Sequence, residues 1–481
     1  MSVRVRVAID FIGDGSFEFI ADSHICSCSI VNYKEATGGF VTNGVLVLDN
    51  CTNCYNAILD TRLVPFLQVQ VYYVIEDSEN PIKRFTLYVD DRGFQLNAIG
   101  NEDRFCVINL VDYSYFLKRT ETKKDWKQTQ HAKHCFICDK SQPKKSLVHI
   151  LCKNAHIHEL DIDCSYLPMT LDYVEFTCSV WDELSLLANA YNAHLECGYG
   201  ALVSFTQSAY DDTYIEDTTT EKLLLTENDI TEFRQYEDLE HYKNVLRLKW
   251  TQYAFIETRV KLWEYKDFPI LYDGTTELYP FGENTRDIEK YENYCANYSY
   301  KDDEGREYTV VAAEDVYTKE EFENALVTVG NAITVQNYNT TLYENKALVQ
   351  LTSTEKTNLK HCEIWGKPII ANTNFSHYIE NETSVLTYGK NVLNVTNKYL
   401  SASMYDDMPF YEQWAIDALQ ELSTLRQKVS VKTHKPVVLL RAGHSIRLDL
   451  NTVCGGVQDI KIDSITFTYN KKEGFEIGIN Y

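Results

Sequence analysis

A two-residue rhythm at both ends of the chain restricts its fold more than any other feature. Val3, Val5 and Val7 alternate with Arg4 and Arg6 at the start. Ile465, Phe467 and Tyr469, then Phe475, Ile477 and Ile479, do the same at the far end. Successive side chains of a strand point to opposite faces, so such alternation describes sheets with one apolar face. The rhythm recurs at Leu67, Val69, Val71 and Tyr73, and again at Phe85, Leu87 and Val89 before the turn Asp90-Asp91-Arg92-Gly93. Asp14-Gly15 is a further turn signal, and Phe105, Val107 and Asn109 precede Val111, Tyr113 and Phe116. Strands of similar length with turn residues between them predict a first β-barrel domain over residues 1–118.

The other end reads the same way. Val429 with Val431, Val437 through Leu440, then Ile446, Leu448 and Leu450 are strand-like, with Ala442-Gly443-His444 and Gly455-Gly456 as turns before Ile460 and Ile462. Val245, Leu246, Leu248 and Trp250, followed by Thr258, Val260, Leu262 and Trp263, supply two more strands. Residues 243–264 plus 423–481 are therefore expected to form a second β-barrel domain.

Between them the period changes. Ser179 stands three residues before Asp182 at the head of an apolar run, the pattern of a capping box. Trp181, Leu184, Ala188, Tyr191 and Leu195 then recur at steps of three and four, predicting one well-capped helix within 179–198. Gly198 and Gly200 bracket Tyr199, and Ala201, Leu202, Val203 and Phe205 leave that turn as a strand. Residues 119–242 read as a mixed α/β domain: Lys123, Lys124 and Lys127 open a basic helix-and-loop segment, and 211–245 is acidic surface. Residues 265–422 read as an insertion or additional α/β domain, with Asp407 and Pro409 heading a helix through Trp414, Ala415, Ala418, Leu419 and Leu422. The fold class is α+β and β-rich, two barrel-like domains flanking a mixed centre.

Charge excludes one class of partner. The chain carries 46 Lys and Arg against 70 Asp and Glu, a formal −24. Counterion release at nucleic acid needs clustered bases, so DNA is expected only in passage. No run of about 18 apolar residues exists, so no stable membrane insertion is expected. The alternating start lacks the apolar stretch of a signal peptide, which points to synthesis in a cytoplasm and to 14 cysteines held as thiols. The sequons at Asn297, Asn339, Asn374, Asn381 and Asn394 read as accidents of an Asn-rich chain.

Chemistry-bearing motifs are few. Cys51-x-x-Cys54 and Cys135-x-x-Cys138 have the gap that lets two thiolates grip one Zn²⁺, and His131 and His134 adjoin the second pair. Against that stand the long separation of the pairs and the general abundance of cysteine, as at Cys26, Cys28, Cys152 and Cys164, so these side chains read first as small buried apolar groups. A zinc here would be structural. His156 and His158 with Glu159 lack the His-Glu-x-x-His spacing. There is no Gly-x-Ser-x-Gly elbow and no phosphate-binding glycine run, and no carboxylate pair stands out, so no catalytic residue and no cofactor is assigned. Trp126, Trp250, Trp263 and Trp365 could line a sugar groove, whereas Trp181 and Trp414 fall on apolar helical faces and read as core.

In order, the segments resemble the bacteriophage baseplate hub or tail-tip hub family, including contractile-phage and Mu-like hubs and the N-terminal part of siphophage tail-associated proteins. The resemblance is carried by Arg84-Phe-Thr-Leu-Tyr-Val-Asp-Asp, by Val107-Ile-Asn-Leu-Val-Asp-Tyr-Ser-Tyr-Phe-Leu, and by the helix-then-hairpin from Ser179 to Phe205. Lys243-Asn-Val-Leu-Arg-Leu-Lys-Trp and Arg441-Ala-Gly-His-Ser-Ile-Arg-Leu complete it. Residues 265–405 fit the pattern poorly. The resemblance implies a non-enzymatic virion protein of the tail baseplate or tip, assembled in the host bacterial cytoplasm. It implies a homotrimer whose paired barrels imitate a hexagon and adapt a six-fold tail tube to a three-fold spike during assembly and genome delivery. The implied partners are the tail tube or distal tail protein, the central spike or fibre protein and the tape measure protein. Two rival readings from other classes are a tail-associated cell-wall hydrolase housed in the poorly matched middle and a carbohydrate-binding receptor protein.

Overall fold

The computed structural model describes residues 3–52, 54–55, 66–75, 81–99, 103–122, 131–198, 201–206, 223–238, 242–270, 276–278, 296–322, 335–342, 346–353, 357–400, 410–424, 426–450 and 456–481. Lys123, Lys124, Lys127, Trp126, Tyr199, Gly200, Asp407, Pro409, Gly455 and most of the acidic run before Leu223 lie outside these residues.

The alternating N-terminal segments become β1 (Val3–Ile9), β2 (Ile25–Lys34), β3 (Phe40–Asp49), β4 (Gln68–Ile75), β5 (Ile82–Ile99) and β6 (Asp103–Val111), followed by α1 (Ser114–Arg119). Next come β7 (His131–Cys138), α2 (Leu147–Asn154), β8 (Leu167–Glu175), α3 (Val180–Ala190), β9 (His194–Cys197) and β10 (Val203–Thr206). Then follow β11 (Leu224–Thr226), β12 (Ile230–Asp238), β13 (Val245–Phe255), β14 (Val260–Ile270), β15 (Glu307–Phe322) and β16 (Thr357–Glu380). The chain finishes with β17 (Arg426–Thr433), β18 (Ser445–Leu450), β19 (Gly456–Lys461), β20 (Ser464–Asn470) and β21 (Gly474–Asn480). It is a β-rich α+β protein.

By contacts the chain divides into two compact units, 1–246 with 380–393 and 416–481, and 247–379 with 394–415. In the first, the two ends of the chain share one 14-stranded sheet, whose main path runs β12-β17-β21-β20-β2-β3-β6-β5-β4-β1. The joint is antiparallel pairing of β20 with β2, from Ser464 opposite Tyr33 to Asn470 opposite Ser27. Inward residues of both ends fill one core, including Val5, Ile30, Leu46, Ile108, Val431, Phe467 and Ile477. An aromatic cluster crosses the joint: the Phe467 ring is 5.7 Å from Tyr73 and 5.6 Å from Phe85, and Tyr73 is 5.4 Å from Phe475. Rings of this size dominate core energetics, each buried side chain contributing roughly 2–3 kcal/mol.

Three expectations change. First, 243–264 does not join 423–481: β14 pairs with β16 along Val260–Ile270, in the six-stranded sheet that also holds β13 and β15. The C-terminal strands instead take β11 and β12, from within the acidic stretch read as surface loops: Leu224–Thr226 runs parallel to β18 and β12 antiparallel to β17. Alternation reveals which face of a strand is apolar, but not which strand lies beside it. Second, the helix stops at Ala190, because Asn192 adopts a left-handed φ of 50° that breaks the spiral; Leu195 sits on the fully buried strand β9. Third, 119–178 holds the antiparallel pair β7–β8 as well as α2. Cys138 of β7 and Cys164 lie side by side in the core, Cα atoms 6.2 Å apart.

In the second unit, β15 pairs with β16, and Ala254, Leu262, Trp263, Tyr298, Val310, Ile364 and Ile370 form its core.

Candidate functional site

The densest chemistry of the first unit lies where the mixed segment meets both sets of strands. Its framework is α3, capped as expected: the Asp182 amide donates to Ser179 Oγ at 3.2 Å. The helix packs on the β2–β3 turn, where Gly39 is required by space, since a Cβ there would stand 2.5 Å from Trp181 Cζ2. Trp181 is fully buried, and its Nε1–H donates to Glu35 Oε2 at 2.8 Å. The chain then turns into β9, which bridges to β3 in parallel at Glu196 and Phe40. His194 stacks on Phe40 with centroids 4.6 Å apart.

Glu196 is 5% exposed, a carboxylate inside a strand. Arg441, from the strap between β17 and β18, donates through Nη1 to Glu196 Oε1 at 2.5 Å, and His194 Nε2 lies 3.2 Å from Oε2. Arg441 Nε donates to His444 Nε2 at 2.9 Å, which places that imidazole in the tautomer protonated at Nδ1. Arg84 of β5, 4% exposed, donates through Nη2 to the Leu440 carbonyl at 3.2 Å. Asn32 of β2 accepts the Ala442 amide at 2.9 Å and donates to Thr42 Oγ1 at 3.1 Å. The Thr42 amide donates to Asp112 Oδ2 at 2.5 Å, and Ser114 donates to Oδ1 through its amide at 2.9 Å and through its hydroxyl. A small cavity lies among these groups, lined by Asn32, Thr42, Arg84, Glu196 and Gly198.

Burial alone would raise the Glu196 carboxyl, but His194, Arg441 and Arg84 outweigh it and hold it below its usual value. Burial, reinforced by Arg441 and Arg84, pushes His444 down to about 3. Burial drives Asp112 up to about 7 against the opposing pull of Ser114 and Thr42. The junction is a lock: it ties β3, β5, β9 and the Leu440–His444 strap through charge-assisted bonds in a dry place, where such bonds are strong.

The metal candidates are dispersed. Cys51 and Cys54 are exposed on the turn after β3, where the Cys51 amide donates to Asp49 Oδ1 at 2.9 Å. Cys135 and Cys138 lie on β7: Cys135 is buried, its thiol raised by burial and donating to the Lys133 carbonyl at 3.1 Å, and Cys138 is buried beside Cys164. His134 is exposed, and the side chain of His131 lies outside the described residues. Among the described residues, no three His, Cys, Asp or Glu side chains gather so as to hold an ion. Sequence reasoning missed the junction, although Arg84, Glu196 and Arg441 all fall in segments it singled out. The available signal was a charge inside an apolar strand, as in His194-Leu-Glu-Cys197.

This fold is that of phage tail proteins. A 43 kDa tail protein of prophage MuSo2 from Shewanella oneidensis matches with a TM-score of 0.50 and 10% identity, over 100% of this chain and 98% of its own. A tail protein from Neisseria meningitidis MC58 matches with a TM-score of 0.51 and 9% identity, over 100% and 96%. No family model matches the sequence, and no curated protein matches it.

Proposed function

We propose that this chain is a structural protein of a phage-type tail, acting as a homotrimeric hub of the baseplate or tail tip. The observation that carries the reading is the end-to-end structural likeness to two tail proteins, near the full length of each. The work assigned to it is mechanical. Two sets of strands, β1–β6 and β11–β12 with β17–β21, are fused side by side through β2 and β20, so each copy contributes two modules to a ring. Three such copies present six modules, which suits an adaptor between a six-fold tube and a three-fold spike or central fibre. Tube or distal tail protein, spike and tape measure are its partners, the virion is its place of action, and the −24 charge suits a wall past which DNA travels without sticking. The test is mass in solution across a concentration series. Three times the 55.7 kDa chain mass is expected; a chain that stays monomeric throughout overturns the trimer.

A further inference from the structure

Two cysteines meet where two sheets of the first unit come together. Cys138 ends β7, which pairs with β8 in a two-stranded sheet. Cys164 ends the short strand Ile162–Cys164, which runs parallel to β10 and through it belongs to the 14-stranded sheet. Both side chains are 0% exposed, and the Cα atoms are 6.2 Å apart. A disulfide spans Cα atoms about 4.4–6.8 Å apart, so the closed fold already holds this pair within bonding reach. Residues 139–163 leave one sheet, carry α2 and return to the other. The ion pair across the neck of this excursion is Lys140 with Asp163, 3.3 Å apart and with side chains 63% and 53% exposed. An exposed pair of that kind contributes little, so the neck is open to a stronger tie.

We infer that Cys138 and Cys164 are the site of an oxidative cross-link between the two sheets, open in the reducing cytoplasm where the chain is made and closed in an oxidising medium outside it. The site rests on geometry; only this timing rests on the virion reading above. The oxidant is a low-molecular-weight disulfide. One cysteine thiolate attacks it, forming a mixed disulfide and expelling one small thiolate. The second cysteine thiolate then attacks the protein-side sulfur, forms the Cys138–Cys164 bond and expels the other. The two cysteine protons end on the two small thiols, so two protein thiols are oxidised and one small disulfide is reduced. Burial sets the pace. Cys152, on α2 within the same excursion, has its thiol pushed up to about 12 by burial, and thiols in such surroundings stay protonated and unreactive. Exchange therefore proceeds through local opening of the segment, and the same enclosure shields the finished bond from reductant.

The test uses the full chain, purified under reductant and then held in excess oxidised glutathione. Unfolding, alkylation and peptide mass mapping should find Cys138 and Cys164 joined, lighter by two hydrogens and carrying no glutathione. Because the bond closes a loop between residues separated by 26 positions, oxidation should raise the melting midpoint of the first unit by about 5 °C. Cys138→Ala should melt at one temperature in both buffers. If that variant fails to fold, the mapping on wild type still decides, since it needs no substitution. Both cysteines recovered as alkylated thiols after prolonged oxidation, or bonded to other cysteines, overturn the cross-link. A mapped bond with no change in melting overturns its role as a tie between the sheets. Chain extracted from cytoplasm quenched in acid should carry both as thiols, and a bond already present there overturns the timing. A chain that is monomeric at every concentration yet forms the bond refutes the trimer and leaves this site standing.

Discussion

Arg441 and Glu196 stand 245 positions apart in the chain and are joined by a 2.5 Å charge-assisted hydrogen bond in a largely dry site. The bond ties the strap after β17 to β9, a strand that itself rests on β3. Removing one member of such a pair strands the other, at a cost of about 3–5 kcal/mol, whereas replacing both with apolar groups can be nearly neutral. Arg441→Met should therefore lower unfolding stability by that amount, and Arg441→Met with Glu196→Leu by clearly less than the sum of the two single losses. Urea unfolding of the four proteins checks it; additive losses would mean that the pair is not coupled.

Two buried groups near this lock give opposing pH signatures. The folded-state pKa of Asp112 is raised from 3.8 to about 7, so between those values the native state keeps a proton that the unfolded chain has lost, and stability falls as pH rises. That of His444 is depressed from 6.5 to about 3, so in that window the unfolded chain takes a proton that the native state refuses, and stability rises with pH. From pH 3.8 to 6.5 the two slopes oppose, each approaching about 1.4 kcal/mol per pH unit. Relative to wild type, Asp112→Asn should gain stability as pH rises through this window, and His444→Gln should lose it. Stability curves at half-unit pH steps read the difference directly, and parallel curves would refute both assignments.

The helix that positions β9 offers a graded test. Ser179→Ala removes the side-chain cap on the Asp182 amide and should cost about 1 kcal/mol. Gly39→Ala forces a Cβ into the Trp181 ring and should cost about 1–3 kcal/mol, since neither ring nor turn can withdraw cheaply. Thermal unfolding ranks them, and a Gly39→Ala protein as stable as wild type would show that α3 can shift on the hairpin.

Much of the local structure was legible because it is written in short-range patterns. Ser179 with Asp182 announced a real cap, and Val3, Val5 and Val7 a strand with its valines inward. What was not legible is long-range. Nothing in Ile465, Phe467 and Tyr469 says that they lie against 28–32, and the strands of 245–270 carry the same rhythm as those of 426–480 although they pair elsewhere. Leu195 satisfied the helical spacing and still belongs to a strand, because one left-handed residue, Asn192, reset the period. The junction escaped because its members sit at positions such as 84, 196 and 441, where only the closed fold makes them neighbours.

The joint between β2 and β20 decides whether the two sets of strands behave as one body, and amide exchange can read it. Ile30 and Phe467 face each other across it and are 0% and 1% exposed, so opening this seam exposes the centre of the shared core. Amides of β2 and β20 should then exchange only through global unfolding, the slowest class in the chain. Strand β12, at the end of the sheet path with Tyr236 58% exposed, should exchange far faster. Ile30→Ala, expected to cost about 2–5 kcal/mol, should speed exchange in β2 and β20 by the same factor. If β17–β21 instead became exchangeable as a group while β1–β6 stayed protected, the strands would form two separately folding domains that merely touch, and the fused-sheet basis for a rigid double module would fail.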